Sequence, residues 1–347
     1  MRALTLKEIA AKAGVSAATV SYVLNDSAKV SEETRKKVEK IIKETGYRSN
    51  ILAKSLRKSR TNLIGIIVED ITVWHTPYII DGINALAEEK GYQTILSNLR
   101  LLSKIEDNFA DISKYQKDID KAVDVLLGMQ VDGIIYVGMH DRLIPPVIGK
   151  VQKDVVYSYC YTKEEGSSVS YSNEKAAYEL TQEFIKKGHT DFGVITGIED
   201  SYPSIQRMKG IRKALEEAGI ELKEENIQVG DWKLKTAKKA AMKLLDREDR
   251  PKAVIAMNDE MAMGVRDVAV QLGLSIPEDV SLSGFDNADI VHYMRPHLTT
   301  VDRPLQEMGY YSMNILLDKI EKEAKGDIRL TLPCTLIEGE TVRQMTV

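Results

Sequence analysis

The sequence predicts a small all-α head joined to a larger α/β core of two doubly wound lobes. Three observations lead there. Helix-capping signals crowd into the first fifty residues, and from Leu63 onward short β-branched runs alternate with amphipathic helical patterns, the order expected of parallel sheets covered by helices. About ten such strands are too many for one short doubly wound unit, so two facing lobes fit them better.

With 347 residues, the chain has room for two or three domains. A composition of 43% hydrophobic and 29% charged residues is that of an ordinary globular protein. No stretch approaches the roughly 18 consecutive apolar residues of a membrane span. Nor does the N-terminus carry the apolar core of a signal peptide, so the expected location is the cytoplasm. Cys160 and Cys334 have neither CxxC spacing nor a neighbouring His; the expectation is reduced thiols, no metal site and no cofactor. The net charge of −4 conceals an asymmetry: residues 1–60 hold 14 Lys and Arg against 6 Asp and Glu. A basic head on an acidic body is the distribution expected when only the head meets a polyanion.

Thr5 and Glu8 form a capping box that starts the first helix, and Leu6, Ile9, Ala10 and Ala13 line one face at helical spacing. Gly14 ends it, since glycine takes the left-handed C-cap conformation without steric cost. Ser16 caps a second helix whose inner face is Val20, Val23 and Leu24. Two short helices across a tight turn are a helix-turn-helix, in which the second helix can enter a DNA major groove. Ser31 caps a third helix, with Glu32 and Glu33 in its first turn and Val38, Ile41 and Ile42 as its apolar stripe. The following segment, NILAKSLR at 50–57, is rich in helix formers but too short to be stable alone; it is either a linker or a helix that needs a partner.

In the body, the run LIGIIVED at 63–70 reads as a strand buried on both faces. Next come a helix over Pro77–Lys90, a strand over Tyr92–Ser97, a helix over Ile119–Met129 and a strand over Gly133–Val137. Weaker strands fall at Val155–Tyr159 and Ser168–Tyr171. The alternation restarts with helix Glu174–Lys187 and strand Phe192–Thr196. It continues with helix Gln206–Ala218, strand Ile227–Val229, helix Leu234–Leu245 and strand Ala253–Ala256. Helix Glu260–Leu272, strand Val280–Phe285, helix Leu305–Lys325 and strand Arg329–Ile337 complete it. The charged stretch Asp107–Asp120 reads as a solvated, partly helical insertion.

The head motif VSAATVSYVLN, the capped third helix, NILAKSLR and IGIIVED, in that order, resemble the lactose-repressor (LacI/GalR) family of bacterial transcription regulators. VDGII at 131–135, KKGH at 186–189, RMKGI from Arg207, NDEMAMG at 258–264, and GFDN and LTTVDRP within 284–304 extend the resemblance over essentially the whole chain. It implies a DNA-binding headpiece over 1–48 and a hinge helix with linker over 49–60. The core it implies is like the periplasmic sugar-binding proteins, with a first lobe from 61–160 and 288–324 and a second from 161–287 and 325–347. It also implies a homodimer on a pseudopalindromic operator, repressing transcription under control of a small-molecule effector.

Matched residue by residue, Ala17, Ala18 and Tyr22 fall at base-facing positions of the recognition helix. Ser16, Thr19, Ser21 and Asn25 fall where phosphate is contacted or the helix is packed on the backbone, as suits short polar side chains near a helix N-terminus. An alanine methyl can pack on thymine but cannot hydrogen-bond a base; Ala17 and Ala18 could equally be helix formers. Leu56 matches a hinge residue wedged into a minor-groove step, with Ala53 and Lys54 around it, and Thr5, Leu6 and Asn50 complete the DNA face.

For the effector, Trp232 matches a stacking aromatic, suited to a sugar's C–H face or a purine ring alike. Arg207 matches a ligand-contacting arginine, and Asp286 and Asn258 can bond vicinal hydroxyls. Asp259 is expected to cap the helix that begins near Glu260. His75 and Thr76 align approximately with the ligand loop after the first strand, which also holds Trp74. The effector so implied is a sugar, with a purine or nucleoside corepressor as the alternative. An enzyme is not expected, because the sequence holds no Walker A, GxSxG or HExxH motif and no GxGxxG after a strand.

Overall fold

A computed structural model describes residues 4–24, 29–47, 60–105, 112–149, 151–163, 166–322 and 324–345. The head begins with α1 (Leu6–Ala13), whose capping box closes as expected: the Glu8 amide donates to Thr5 Oγ1 at 3.3 Å and the Thr5 amide to Glu8 Oε2 at 2.6 Å. Gly14 takes φ 63°. Then α2 (Ala17–Leu24) starts with the Thr19 amide donating to Ser16 Oγ at 3.0 Å, and α3 (Glu32–Thr45) follows its Ser31 cap. Ile9, Ala10, Ala13, Val20, Val23 and Val38 form a separate small core.

The body runs β1 (Leu63–Val68), α4 (Thr76–Glu89), β2 (Gln93–Asn98), α5 (Leu102–Ile105), α6 (Gln116–Gly128) and β3 (Gly133–Val137). It continues through β4 (Asp154–Ser158), β5 (Ser167–Tyr171), α7 (Asn173–Lys186), β6 (Phe192–Thr196), α8 (Tyr202–Glu217), β7 (Ile227–Val229) and α9 (Leu234–Leu245). The last elements are β8 (Ala253–Ala256), α10 (Asp259–Gln271), β9 (Ser281–Ser283), β10 (Thr300–Asp302), α11 (Leu305–Lys322), β11 (Arg329–Leu332) and β12 (Thr335–Ile337).

Two parallel sheets result. The first has the order β11-β5-β4-β3-β1-β2, the second β7-β6-β8-β9, and β10 pairs antiparallel with β12 as a ribbon joined to the β9 side of the second sheet by isolated bridges. Strands β1 and β3 are buried along their whole length, as continuous apolar runs require. Helices α4 and α11 cross so closely that a Cβ on Gly82 would lie 1.9 Å from the Gln306 carbonyl, and one on Gly309 would lie 1.9 Å from that of Ile79.

The expected division of the lobes is corrected at two places. The resemblance places residues 161–171 and 325–332 in the second lobe, yet β5 and β11 are parallel strands of the first sheet. A strand entering at the free edge of the nearest sheet satisfies its ladder at little cost in loop length, and α11, packed on β3, β4 and β5, delivers β11 to that edge. The chain therefore leaves the first lobe after Tyr171, returns to it with α11, and leaves it again after Leu332. The expected single strand Arg329–Ile337 is two strands in different sheets. Pro333, which has no N–H to give a ladder, stands at the break.

The stretch expected to be a solvated insertion is also partly core: among its described residues Ile112 and Ile119 are buried, in a cluster with Leu101, Ile105 and Leu126. Cys160 is buried, Cys334 is half-buried and both are free thiols.

Candidate functional sites: the headpiece and the interlobe cleft

In the headpiece, Tyr22 and Ala18 are exposed on α2, and Lys29 Nζ lies 5.8 Å from the Tyr22 ring centre. Leu6 and Ala17, assigned to the DNA face, are half-buried and pack on the headpiece core, so each has only part of its surface to offer. Ser16 and Thr19 share a hydrogen bond at 2.9 Å besides the capping contact. Thr5 is held by Glu8 and Ser21 is half-buried. Asn25, Asn50, Ala53, Lys54 and Leu56 lie outside the described residues.

The second site is a cavity of about 440 Å³ lined by residues that follow the carboxyl ends of strands from both sheets, where doubly wound folds hold ligands. From the first lobe come Trp74 and His75 after β1, Met139 and His140 after β3, and Tyr159 after β4. From the second come Arg207 on α8, Asp231 and Trp232 after β7, Asn258 after β8 and Asp286 after β9. Arg303, just past β10, completes the floor.

Several of these residues sit in the left-handed region at the strand ends: Tyr159 at φ 61°, Asp231 at 58°, Trp232 at 61° and Asp286 at 126°. A non-glycine residue there costs of order 1–3 kcal/mol and is held by its surroundings. Around Trp232 the support is visible, since Asn258 Nδ2 donates to the Trp232 carbonyl at 3.2 Å.

An ionic cluster forms the base. The Asp286 carboxylate stands 3.1 Å from Arg303 Nε and 3.8 Å from Arg207 Nη2. Burial raises the Asp286 carboxyl above its ordinary range, while the two guanidinium groups pull it back. Arg207 is largely spoken for: Nε donates to Asn173 Oδ1 at 2.9 Å, Nη2 to the Tyr171 hydroxyl at 3.2 Å and Nη1 to the Met257 carbonyl. Its guanidinium lies 3.6 Å from the Phe285 ring centre and 5.5 Å from that of Trp232. Arg303 donates from Nη1 to the Tyr159 hydroxyl and lies 4.7 Å from the Trp74 ring centre, while its buried Nη2 makes no hydrogen bond among the described residues.

His75 Nε2 donates to the Met139 carbonyl at 2.6 Å. That contact puts the proton on Nε2 and leaves Nδ1 as an acceptor, buried and without a hydrogen-bond partner among the described residues. Burial, with Arg303 nearby, holds the imidazole well below its ordinary range and therefore neutral.

Three expectations are corrected. Thr76 does not line the cavity; it opens α4 with its side chain buried. Asn258, and not Asp259, is the cap of α10, its Oδ1 accepting from the Met261 amide at 2.7 Å, so its amide serves the protein more than a ligand. Asp259 is the first helical residue and accepts from Thr300 Oγ1 at 2.6 Å and from the Ala288 amide at 2.8 Å. Arg303 and Tyr159 were missed. They lie in connections, and the one available signal was the Asp-Arg-Pro that follows LTTV.

Two facing α/β lobes around a polar and aromatic cleft, preceded by a helix-turn-helix, define a ligand-responsive DNA-binding protein, and the comparisons agree. Residues 5–50 match the family described as bacterial regulatory proteins, lacI family, and residues 181–342 match the periplasmic binding protein-like domain. The chain is 31% identical to the HTH-type transcriptional repressor PurR of Vibrio vulnificus (strain CMCP6), covering 98% of this chain and 99% of that one. It is likewise 31% identical to the HTH-type transcriptional repressor CytR of Escherichia coli (strain K12), covering 99% and 97%.

Among solved structures, a transcriptional regulator CelR–cellobiose complex superposes with a TM-score of 0.67 at 29% identity, over 97% of this chain and 99% of that one. The lac repressor dimer bound to operator and the anti-inducer ONPF superposes at 0.80 with 23% identity, over 99% and 100%, a likeness of fold. The chain belongs to the lacI family of bacterial regulatory proteins. It is a DNA-binding transcription regulator. Among the described residues no helix is long and apolar enough to cross a membrane.

Proposed function

We propose that the chain is a homodimeric repressor whose operator affinity is set by a sugar held between its lobes. The observation that carries the sugar reading is one of complementarity. The cleft places the rings of Trp74 and Trp232 beside a buried donor, Arg303 Nη2, and a buried acceptor, His75 Nδ1, neither with a protein partner among the described residues. Ring faces suit the C–H surfaces of a pyranose. A hydroxyl, as donor and acceptor at once, can satisfy either buried group.

In this reading Trp232 stacks on the ligand, Asp286 and Arg207 bind its hydroxyls, and Asn258 supports the Trp232 loop. The similar CelR protein, solved with cellobiose, supports the sugar class. Residues 1–48 read DNA, with Ser16, Ala18 and Tyr22 toward the operator, and 49–60 join the head to the core. The lobes are joined by three crossings, after Tyr171, ahead of α11 and after Leu332. Two heads on a dimeric core would match two half-sites, and the ligand shifts operator affinity by as much as its affinities for the two lobe arrangements differ. The ligand is bound and released unchanged.

A thermal-shift screen of the full chain against sugars, sugar phosphates and nucleobases tests this, because a ligand that binds the native state stabilises it by mass action. A sugar is expected to raise the melting temperature, to change operator affinity and to be recovered unaltered. Stabilisation by a nucleobase alone would replace the sugar with that ligand, and a full shift retained in Trp232→Ala would remove the cleft assignment.

A further inference from the structure

One line of hydrogen bonds runs from the first lobe, through the second, to the cleft. It starts at Asp141, buried in the connection between β3 and β4. Asp141 Oδ2 accepts from Asn173 Nδ2 at 3.1 Å, and Asn173 Oδ1 accepts from Arg207 Nε at 2.9 Å. Asn173 is the first residue of α7, where the chain has just crossed between the lobes. The single amide thus grips a carboxyl of one lobe with its nitrogen and the cleft arginine of the other with its oxygen. Asp141 Oδ1 is buried with no partner among the described residues, so no contact there stabilises the charge on that oxygen.

We propose that Asp141 is a positioning residue, which through Asn173 sets where Arg207 stands in the cleft, and that the gain or loss of its proton alters that position. An ionised carboxylate makes the stronger, charge-assisted bond to the Asn173 amide and draws on the Arg207 cation beyond it. A protonated one holds the amide more weakly and releases the guanidinium toward its other partners. The cleft is then a pH-responsive one, tightest in its interlobe grip when Asp141 is charged.

Burial pushes the Asp141 carboxyl up to about 7, with Asn173 and Arg207 pulling against it. The other groups facing it do not titrate there. Burial raises the Cys160 thiol and the Tyr161 phenol and lowers the His140 imidazole. Arg142 is held by Glu69. The meaning of the switch for effector binding rests on the cleft reading above, but its test needs no effector.

The chain has two tryptophans, Trp74 and Trp232. In the full chain carrying Trp74→Phe, emission therefore reports Trp232, whose ring lies 5.5 Å from the Arg207 guanidinium. The expected result is a sigmoidal change in emission with a midpoint near the Asp141 value of about 7. Asp141→Asn can still accept from Asn173 but cannot ionise, and it is expected to abolish the transition. If that variant fails to fold, Asn173→Ala, which keeps the carboxyl and cuts the line, is expected to flatten it. The same midpoint in a folded Asp141→Asn or Asn173→Ala protein would overturn the proposal. So would a transition erased by Asp259→Asn but spared by Asp141→Asn. In either case a sugar found by the thermal-shift screen would stand.

Discussion

Trp232 packs directly against Gly197: a Cβ built on Gly197 would come within 2.0 Å of indole Cε2 and Cζ2. The glycine at the end of β6 therefore sets where the Trp232 ring stands without itself lining the cavity. Gly197→Ala forces the indole to move. We expect little loss of stability, since the ring can swing into the cavity, but a loss of effector affinity of about tenfold or more, the scale of one displaced binding contact. Isothermal titration of the ligand identified by the screen, beside a melting curve, separates the two effects.

Beneath the cleft, Glu69 and Arg142 form a buried ion pair at 2.8 Å, and Glu69 also accepts from the Tyr136 hydroxyl at 2.9 Å and the Met139 amide at 2.7 Å. Arg142→Ala leaves that carboxylate without its cation. Breaking one half of a buried pair costs about 3–5 kcal/mol, and the Met139 carbonyl that orients His75 sits on the same connection. Urea unfolding should show the loss in the core transition. Operator half-site binding by the separate headpiece core should change far less.

Stability should fall as pH rises through neutrality. Burial and the neighbouring Asp286 push Asp259 up to about 7, above its unfolded value near 3.8. Between those values the native state holds a proton that the unfolded chain has lost, so the contribution is complete at low pH and disappears as pH passes the native value. Asp141 adds in the same direction. Denaturant midpoints on either side of neutrality are expected to drop for the natural chain and to drop less for Asp259→Asn. An equal drop in both would show that other groups set the slope.

Much of the fold was legible because local rules and the final packing agree. Gly133–Val137, Phe192–Thr196 and Ala253–Ala256 are short apolar runs in sequence and fully buried strands in the structure. Thr5, Ser16 and Ser31 cap the helices they announce. What escaped depends on distant partners. Nothing near Ser167–Tyr171 or Arg329–Leu332 says which sheet edge they join, and β10 is three residues long and needs β12.

The cleft divides in the same way. Trp232, Arg207, His75 and Asp286 were legible through the family resemblance, and all four line the cavity. Tyr159 and Arg303 converge on it from segments 144 residues apart, which no local pattern displays. Thr76 was misplaced by one residue, because α4 starts at that residue and turns its side chain inward.

The membership of the two sheets also sets an order of assembly. All four strands of the second sheet come from one unbroken stretch, Phe192 to Ser283. The first sheet lacks its outer strand until Leu332 has been made, and its covering helix α11 until Lys322. During synthesis the strands of the second sheet can pair on contacts already at hand, with the 341–345 segment still to reach Leu282 and Lys187, whereas the first sheet must wait, its β5 edge and the faces of β3 to β5 uncovered, until β11 and α11 have been made. Exposed strand edges and apolar faces invite misassociation. The sheet begun first is thus the one completed last, and the one most in need of protection while it waits.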